Sequence, residues 1–464
     1  MSDLVADGWF MSAPSADACP AMTQVIAEGH RGLLVSAISE MAAVKPRQSV
    51  GRAVVAATIG NMFEWYDFTI YAAFAVPISK NFFPVDNEVV SLLLSFVTFG
   101  LGFVARPFGA AFLGGYADRK GRRNALSLTI LLMALGTAVI AFCPSYDRIG
   151  LAAPIIILAA RLIQGFSAGG EIGGAVSTLV EHAPADKRAL YGSFQQLSQG
   201  ASTMLSGLVA ILIALALSPA QIGDWGWRLA FAVGLVIAPV GLYIRRELED
   251  APVFKDTVDR HKGELPIRIV IRDHWRAILV GMMIVMLWTV AQYLSNYFPT
   301  FAVRELKVSL STSYLGPLVV GTVLLFCPIV GVLADRFRRK NVMIVGALGL
   351  LVSAYPAFSF LIASPTPEHV VMTQIVIATF MLIYTAPASA VLAELFPTAV
   401  RATGISVTYS LGVAIFGGFT PAIITALISW TAAPVSVAFY LMGAAAVSLI
   451  AVIALTDRTG EMLS

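Results

Sequence analysis

The chain has 464 residues, of which 58% are hydrophobic and only 13% charged, and its mean hydropathy is +0.80. Soluble domains carry roughly 25% charged residues, so this chain has too little polar surface to cover its apolar residues in water and is predicted to lie in a lipid bilayer. The net charge of +3 is too small and scattered to indicate a nucleic-acid partner. Cys19, Cys143 and Cys327 are isolated and odd in number, which argues against a disulfide framework.

The first 48 residues differ from the rest of the chain. They mix Ala, Ser and Met with polar residues and lack the basic and apolar regions of a signal peptide. Residues 1–48 are therefore predicted to form a disordered cytoplasmic tail. Met41, just before Lys45 and Arg47, is an alternative start. If it is used, residues 1–40 do not belong to the natural protein.

Twelve long apolar segments follow, each bounded by Gly, Pro or charged residues. A helix needs roughly 20 apolar residues to cross a bilayer, and the alternation of a membrane β-barrel is absent. The predicted fold class is an all-α integral membrane protein with twelve transmembrane helices. The predicted spans are 52–79, 89–115, 125–143, 152–180, 191–217, 229–246, 276–299, 313–334, 342–362, 370–393, 403–427 and 435–456.

The Lys and Arg residues sort to one side of these spans. With a cytoplasmic N-terminus, 24 of the 31 lie inside, five lie outside, and Arg106 and Arg161 lie within spans. Positive residues favour the cytoplasmic side, so both termini are predicted to be cytoplasmic in a bacterial inner membrane. The predicted divisions are the tail, an N-terminal bundle at 49–246, a central cytoplasmic loop at 247–275, a C-terminal bundle at 276–457 and a cytoplasmic tail at 458–464.

The two halves repeat two sequence patterns. The run 114–123, GGYADRKGRR, follows the second span, and the run 331–340, GVLADRFRRK, follows the eighth, an offset of 217. The pattern Glu-x-x-Pro-x-x-x-Arg occurs at 181–188 and again at 394–401, an offset of 213. Two patterns at nearly one offset predict a tandem duplication, the arrangement of a transporter with two pseudo-symmetric six-helix halves.

The first of these patterns predicts a gate. Gly121 permits a tight turn, and Asp118 can pair with Arg122 or cap the following helix. A loop that only fixes membrane orientation would explain the arginines but not the Gly and Asp spacing. The predicted gating residues are Gly114, Asp118, Arg119, Gly121, Arg122, Arg123, Asp335 and Arg336.

The same runs carry a family resemblance over roughly residues 49–456. The run 114–123 resembles, without a mismatch, the loop signature of the major facilitator superfamily, and RLIQG at 161–165 resembles its fourth-helix signature. Further runs resemble the metabolite:proton symporter branch, at 60–68 (GNMFEWYDF), 106–109 (RPFG), 164–171 (QGFSAGGE), 224–228 (DWGWR) and 416–421 (FGGFTP). One departure is Arg338, where the second copy of the loop signature would have Gly.

The resemblance implies a twelve-helix fold and proton-coupled transport by alternating access. Carriers in this branch take citrate, α-ketoglutarate, dicarboxylates, shikimate, and proline or betaine. The runs at 161–171 and 416–421 are most similar to the citrate and tricarballylate members.

Five ionisable residues lie inside predicted spans, all in the first half: Glu64, Asp67, Arg106, Arg161 and Glu171. A charge at the bilayer centre costs roughly 2.5–3.5 kcal/mol on insertion scales, so such residues are functional candidates. Glu64 and Asp67 share a helix face. Desolvation and a neighbouring carboxylate favour protonation, so these two, with Glu171, are predicted proton-coupling residues, Glu64 somewhat preferred. The alternative is a structural ion pair with Arg106.

The substrate is predicted to meet the two arginines and several neutral polar groups. Guanidinium groups bind carboxylates through two parallel hydrogen bonds, although Arg161 and Arg106 could instead neutralise the carboxylates. Polar stripes of this kind can equally hold helices together. The predicted substrate-binding residues beside the arginines are Asn61, Tyr71, Gln195, Gln199, Gln292 and Asn296.

These features predict a monomeric symporter of a small organic acid, such as a citrate-like tricarboxylate, a dicarboxylate or α-ketoglutarate, with the proton as coupling ion and no other cofactor. A zwitterionic osmolyte such as proline or betaine is the alternative substrate, and a channel is a rival class. The run from Gly165 to Gly169 fits the pattern of an esterase nucleophile, but it lies in a predicted span rather than at a strand-to-helix turn. No phosphate-binding Gly-Lys-Ser/Thr occurs in the chain.

Overall fold

The computed structural model describes residues 50–120, 122–169, 172–181, 183–246 and 266–461. Within these residues the chain is helical and contains no β-strand. Each of the twelve predicted spans coincides with one helix or with consecutive helices separated by a short break. The all-α membrane fold predicted from the apolar segments is confirmed.

Besides short helices at Tyr146–Ile149 and Pro219–Gln221 and a π-helical turn at Ile222–Gly226, the described residues of the first half form six long helical segments, here numbered α1 to α6. They are α1 (Val50–Ala73 and Ala75–Phe82), α2 (Glu88–Val104 and Arg106–Lys120), α3 (Arg122–Phe142), α4 (Ala152–Gly169 and Ile172–Glu181), α5 (Arg188–Ala216) and α6 (Trp227–Arg246).

The second half contains α7 to α12. They are α7 (Trp275–Arg304), α8 (Leu310–Leu324 and Cys327–Phe337), α9 (Arg339–Ala363), α10 (Pro367–Thr385 and Ala388–Glu394), α11 (Arg401–Gly412, the π-helical Val413–Gly417 and Thr420–Thr431) and α12 (Ser436–Ala454). The π-helical turn coincides with the start of the run at 416–421 and packs on α2 and α7.

Length and apolar composition identify the membrane-crossing elements. The described residues include eight helices long and apolar enough to cross a bilayer, or nine when the two parts of α8, bent by 46° at their junction, count as one span. The remaining predicted spans are helical as well. Among them, α1 is interrupted at Phe74 and carries Glu64 and Asp67.

The two halves pack alike. In the first half α1 contacts α5 and α6, α3 contacts α4 and α6, and α2 contacts α4. The equivalent second-half pairs, α7 with α11 and α12, α9 with α10 and α12, and α8 with α10, are also in contact. Between the halves α5 packs on α8 and α2 packs on α11, which are again equivalent pairs. The duplication read from the sequence is therefore repeated in the helix packing.

Glycines bring α2 and α4 into backbone contact. A Cβ atom at Gly165 would overlap the backbone of Gly102, and one at Gly169 would overlap the carbonyl of Arg106. Gly102 lies one helical turn before Arg106, and Gly165 lies one turn after Arg161. The close approach therefore holds the two arginines on neighbouring, tightly packed helices. The glycine pattern thus serves packing at this place.

Several predicted features lie outside the described residues. They are the tail at 1–48, most of the central loop at 247–275, Glu171, and Gly121 of the first loop. Part of the predicted connection is described, and there Pro266–Asp273 forms a two-turn helix directly before α7.

Candidate functional site

Glu64 and Arg106 form a buried ion pair between α1 and α2. Arg106 Nη2 lies 2.9 Å from Glu64 Oε1, and the two side chains are 1% and 8% exposed. The guanidinium also lies over three aromatic rings, with its Cζ atom 5.6 Å from the Trp65 centroid, 5.3 Å from Phe68 and 5.1 Å from Phe103. A charge this deep is tolerated because it is both paired and stacked.

Asp67 reaches Arg161 through a chain of hydrogen bonds rather than through a direct ion pair. The Thr137 hydroxyl donates to Asp67 Oδ2 and accepts from Gln164 Nε2 at 3.0 Å. Gln164 Oε1 in turn accepts from Arg161 Nη1 at 2.9 Å. The chain therefore links a buried carboxylate on α1 with a buried guanidinium on α4 through α3.

Arg161 is held by an aromatic face but keeps unused donors. Its Cζ atom lies 3.7 Å from the centroid of Tyr71, whose hydroxyl donates to the Ser95 carbonyl at 3.3 Å. Among the described residues, Arg161 Nε and Nη2 have no hydrogen-bond partner, and neither does Asp67 Oδ1. Buried donors and acceptors of this kind are costly. They mark a place where a further polar group could bind.

Two of the predicted substrate-binding amides are bound to each other. Asn61 on α1 donates from Nδ2 to Ser198 Oγ at 2.5 Å, and Gln195 on α5 donates from Nε2 to Asn61 Oδ1 at 3.1 Å. In this structure Asn61 and Gln195 therefore join α1 to α5, which is the structural alternative considered for the polar stripes.

Gln199 lies between the two halves. Its Oε1 accepts from Trp288 Nε1 on α7 at 3.4 Å, and its Nε2 contacts the Tyr409 hydroxyl on α11 at 3.5 Å. Both contacts are long for hydrogen bonds of these types. Gln199 is thus a loosely held amide that α5 presents to the second half.

The second half contributes buried polar groups that form few hydrogen bonds. Gln292 donates to Thr203 at 3.2 Å. Its Oε1, both amide atoms of Asn296, and the Tyr293 hydroxyl are buried without a partner among the described residues. The Tyr293 ring packs on Trp65 and Phe103 of the first half, at centroid distances of 6.1 Å and 5.2 Å. The structure therefore brings α7 against the aromatic residues that surround the two arginines.

At one end of the bundle the second repeated pattern joins the halves. Arg401 Nη1 lies 3.0 Å from Glu181 Oε1, and Arg188 Nη1 lies 3.7 Å from Glu394 Oε1. The Glu of each copy thus faces the Arg of the other copy. These four residues, with Asp335 and Arg339, are called the ionic cluster below.

Asp335 and Arg339 complete the ionic cluster. The Asp335 carboxylate accepts the backbone N–H groups of Ala189 and Leu190 at 3.0 Å and 2.9 Å, at the start of α5. Arg339 Nη2 lies 2.7 Å from Asp335 Oδ1, and Nη1 pairs with Glu394. A carboxylate at a helix N-terminus is stabilised by the helix dipole. Asp335 therefore binds the second half to the first, and its predicted gating role stays a prediction.

The other predicted gating positions differ. Arg336 is exposed, and its guanidinium lies 5.6 Å from the Phe337 centroid. The buried arginine of this turn is Arg339, which the gating prediction did not include. The described part of the structure does not include the side chains of Asp118, Arg119, Arg122 and Arg123. Gly114 is described as helical backbone only.

The ionic cluster is extended by the C-terminal segment 457–461. Arg188 Nη1 donates to the Glu461 carbonyl at 2.6 Å, and the Arg339 N–H donates to Thr459 Oγ1 at 3.2 Å. Arg458 Nη1 donates to the Glu394 carbonyl at 3.3 Å. The predicted C-terminal tail is thus bound, in part, across the junction of the halves.

The esterase-like run lies inside α4. Ser167 is buried, and its hydroxyl donates to the Thr129 carbonyl of α3 at 2.6 Å. The neighbouring glycines pack against α2. The run is therefore accounted for by helix packing.

Two duplicated helical halves, an ionic cluster that joins them at one end and a buried charged centre define a secondary transporter of the two-bundle type. Comparison with known proteins agrees with this class. Residues 53–265 match the family model described as sugar (and other) transporter, and residues 317–462 match that of the major facilitator superfamily. The chain belongs to the major facilitator superfamily, within its metabolite:proton symporters.

Curated relatives are similar over most of the chain. A citrate-proton symporter of Klebsiella pneumoniae is 38% identical over 416 residues, which cover 89% of this chain and 93% of that protein. A citrate-proton symporter of Salmonella typhi is 36% identical, with 86% and 92% covered. A putative proline/betaine transporter of Staphylococcus aureus strain COL is 34% identical, with 87% of each chain covered.

Solved structures share the fold. The xylose transporter XylE from E. coli, in a partially occluded inward-open conformation, matches with a TM-score of 0.71 at 17% identity over 89% of this chain and 99% of that chain. The human organic anion transporter MFSD10 matches with a TM-score of 0.58 at 18% identity over 88% and 100%. The twelve-helix, two-bundle architecture expected from the family resemblance is confirmed.

Proposed function

We propose that this protein is a bacterial inner-membrane symporter that carries a small organic acid, a citrate-like tricarboxylate, dicarboxylate or α-ketoglutarate, together with protons. It works by alternating access, as a monomer, with both termini in the cytoplasm. The observation that carries the proposal is the arrangement at Arg161, a fully buried guanidinium with two unused donor atoms beside a carboxylate, Asp67, with one unused acceptor.

The charge balance of the centre explains how a proton and an anion would bind together. Glu64 neutralises Arg106 directly, while Asp67 offsets Arg161 through Thr137 and Gln164. Protonation of Asp67 removes that offset and leaves a net positive charge at Arg161. A substrate carboxylate then restores neutrality, so each ligand favours binding of the other. Glu64 is already committed to Arg106, so the geometry favours Asp67 over Glu64 as the proton carrier.

The second half supplies the remaining contacts of the substrate. Asn296, Gln292 and Tyr293 on α7 offer buried polar atoms without a partner in the described structure, and Gln199 is held only by long contacts. Hydroxyl and further carboxyl groups of a polyfunctional acid would satisfy them. Since these groups come from both halves, rocking of one half against the other would form and break the site.

The relatives also leave proline or betaine as the alternative substrate. A zwitterion could use Arg161 for its carboxylate, but its cationic group would need a carboxylate or an aromatic face. The rings of Phe68, Phe99 and Phe103 are already faced by the two guanidiniums. Because these rings already contact the guanidiniums, they are not free to bind the cationic group of a zwitterion, and this favours an acid as the substrate.

Uptake into proteoliposomes with an imposed pH gradient tests the proposal. Radiolabelled citrate, α-ketoglutarate, proline and betaine are compared, with and without an uncoupler. We expect uphill accumulation of one of the acids and its loss with the uncoupler. Accumulation of proline or betaine alone would establish the alternative, and accumulation that survives the uncoupler would refute proton coupling. Counterflow of label against unlabelled substrate distinguishes the carrier from a channel.

A further inference from the structure

Three exposed arginines line the approach to α7. Arg268 and Arg272 lie on the helix Pro266–Asp273, and Arg276 lies on the first turn of α7. The four-residue spacing places helical neighbours on one face. The two helices meet at His274, which has φ −121° and ψ 20°; its N–H donates to Val270 O and its carbonyl accepts from Ile278 N, both at 3.0 Å. Arg268 and Arg272 therefore share one face of the short helix, and Arg276 follows on the next helix, one non-helical residue further along the chain.

An apolar row accompanies the arginines. Ile271, Trp275, Leu279 and Met283 follow the same four-residue spacing and are 55%, 51%, 47% and 41% exposed. Leu279 and Met283 extend along α7 beyond the last of the three arginines. Trp275 stands at the level where charge gives way to apolar surface, as aromatic residues do at a membrane interface. The exposed face thus changes from cationic to apolar along its length.

The arginines of this face differ from those of the ionic cluster. Arg188, Arg339 and Arg401 are buried and engaged between the halves, whereas these three are on the surface. Arg276 is steadied by the Trp275 ring, 5.4 Å from its Cζ atom. Arg272 donates to both carboxylate oxygens of Asp273, at 2.8 Å and 3.0 Å. The local charge is therefore three positive and one negative.

We propose that this face binds one anionic phospholipid. The lipid phosphate lies among Arg268, Arg272 and Arg276, and an acyl chain follows Trp275, Leu279 and Met283. Guanidinium groups bind phosphate through paired hydrogen bonds, and basic clusters beside a membrane helix attract anionic headgroups. Because Asp273 accepts hydrogen bonds from Arg272, its carboxylate competes with the lipid phosphate and lowers the affinity of the site.

The site adjoins the ionic cluster. The helix Pro266–Asp273 packs against Thr398–Val400 and against the first part of α11, which begins at Arg401. A lipid bound here would therefore lie close to α11, which carries Arg401 of the ionic cluster.

Native mass spectrometry of the delipidated full chain, titrated with phosphatidylglycerol, tests the proposal. Three variants are compared with wild type. The first replaces Arg268, Arg272 and Arg276 by Gln. The control removes the same charge elsewhere, replacing Arg148, Arg304 and Lys307 by Gln. The third, Asp273→Asn, removes only the negative charge. Monodisperse elution in size-exclusion chromatography is required of every variant before the titration.

We expect phosphatidylglycerol affinity to fall at least tenfold in the first variant, to stay within twofold of wild type in the control, and to rise severalfold in Asp273→Asn. Zwitterionic phosphatidylcholine should bind all four proteins alike. An equal loss in the control variant would show unspecific attraction to net charge and overturn the site. An Asp273→Asn variant with the phosphatidylglycerol affinity of wild type would also overturn the site. Displacement of the lipid by soluble glycerol phosphate would show an anion site without a lipid chain, which also contradicts the proposal.

Discussion

The carboxylate of Glu181 pairs with the guanidinium of Arg401 at 3.0 Å, and each belongs to a different copy of the same eight-residue pattern. The reciprocal contact, between Arg188 and Glu394, is also present. The two copies of this pattern, one in each half of the chain, therefore pair with each other. Because the pairs cross between the halves, we expect them to hold this end closed and to separate when it opens.

Glu181→Gln tests whether this pair holds the end closed. A reporter cysteine replaces Ser389, which is buried on α10 beside Gly192 of α5, in a background without Cys19, Cys143 and Cys327. We expect a membrane-permeant maleimide to label it severalfold faster in Glu181→Gln. The control is Lys80→Gln, which breaks the exposed pair with Glu88. Equal labelling in Glu181→Gln and wild type would mean that the pair does not hold the gate.

Asp67→Asn keeps the size of the side chain and removes its titration. We expect accumulation driven by a pH gradient to be lost while exchange of labelled for unlabelled substrate persists, because exchange needs no net proton movement. Exchange by the variant should also lose its dependence on pH. Both are measured in proteoliposomes, and uphill accumulation equal to wild type would move the proton site elsewhere.

Glu64→Gln should behave differently. It leaves Arg106 buried without its carboxylate, and breaking one partner of a buried pair typically costs about 3–5 kcal/mol. We therefore expect a clearly lower unfolding temperature than in Asp67→Asn, measured by fluorescence in detergent. A variant as stable as wild type that nevertheless fails to accumulate substrate would return the proton role to Glu64.

Glu64 shows which features of the buried charged site can be predicted from the sequence and which cannot. The spacing of Glu64 and Asp67 places both carboxylates on one helix face, and either could have carried the proton. The contact with Arg106 was one of two possibilities, because the sequence does not define how α1 is rotated against α2. The close approach that brings Arg161 beside this pair depends on Gly165 meeting Gly102, a contact between residues far apart in sequence.

The ionic cluster shows a second limit. The repeats indicated an interface at this end, and Asp335 was expected there. Arg336 and Arg339 lie three residues apart in the run RFRR at 336–339, yet only Arg339 is buried in the cluster. The chain turns at Arg338 between α8 and α9, so the helical spacing that relates neighbouring side chains does not carry across it.

Arg161→Lys keeps the charge and removes the planar fork. If Arg161 binds a substrate carboxylate through its unused donors, affinity should fall by roughly 1.5–3 kcal/mol, the value of a lost charged hydrogen bond, or about 10- to 100-fold. Calorimetry with the acid identified in the uptake panel measures it. Arg106→Lys is the control, because Glu64 already occupies that guanidinium. A larger loss in Arg106→Lys than in Arg161→Lys would contradict the assignment.

Arg338→Gly should stabilise the protein. Arg338 has φ 69° and ψ 125°, a conformation that side chains rarely adopt and that costs roughly 1–3 kcal/mol. Glycine adopts it freely, although its greater freedom in the unfolded chain opposes the gain by roughly 0.5–1 kcal/mol. The balance favours the variant by about 1 kcal/mol. Arg336→Gly, the same change in the last turn of α8, should instead destabilise, by less than the roughly 1 kcal/mol that glycine costs in a helix interior. Unfolding temperatures in detergent should therefore move in opposite directions, and a decrease in both variants would show that the turn at Arg338 is not strained.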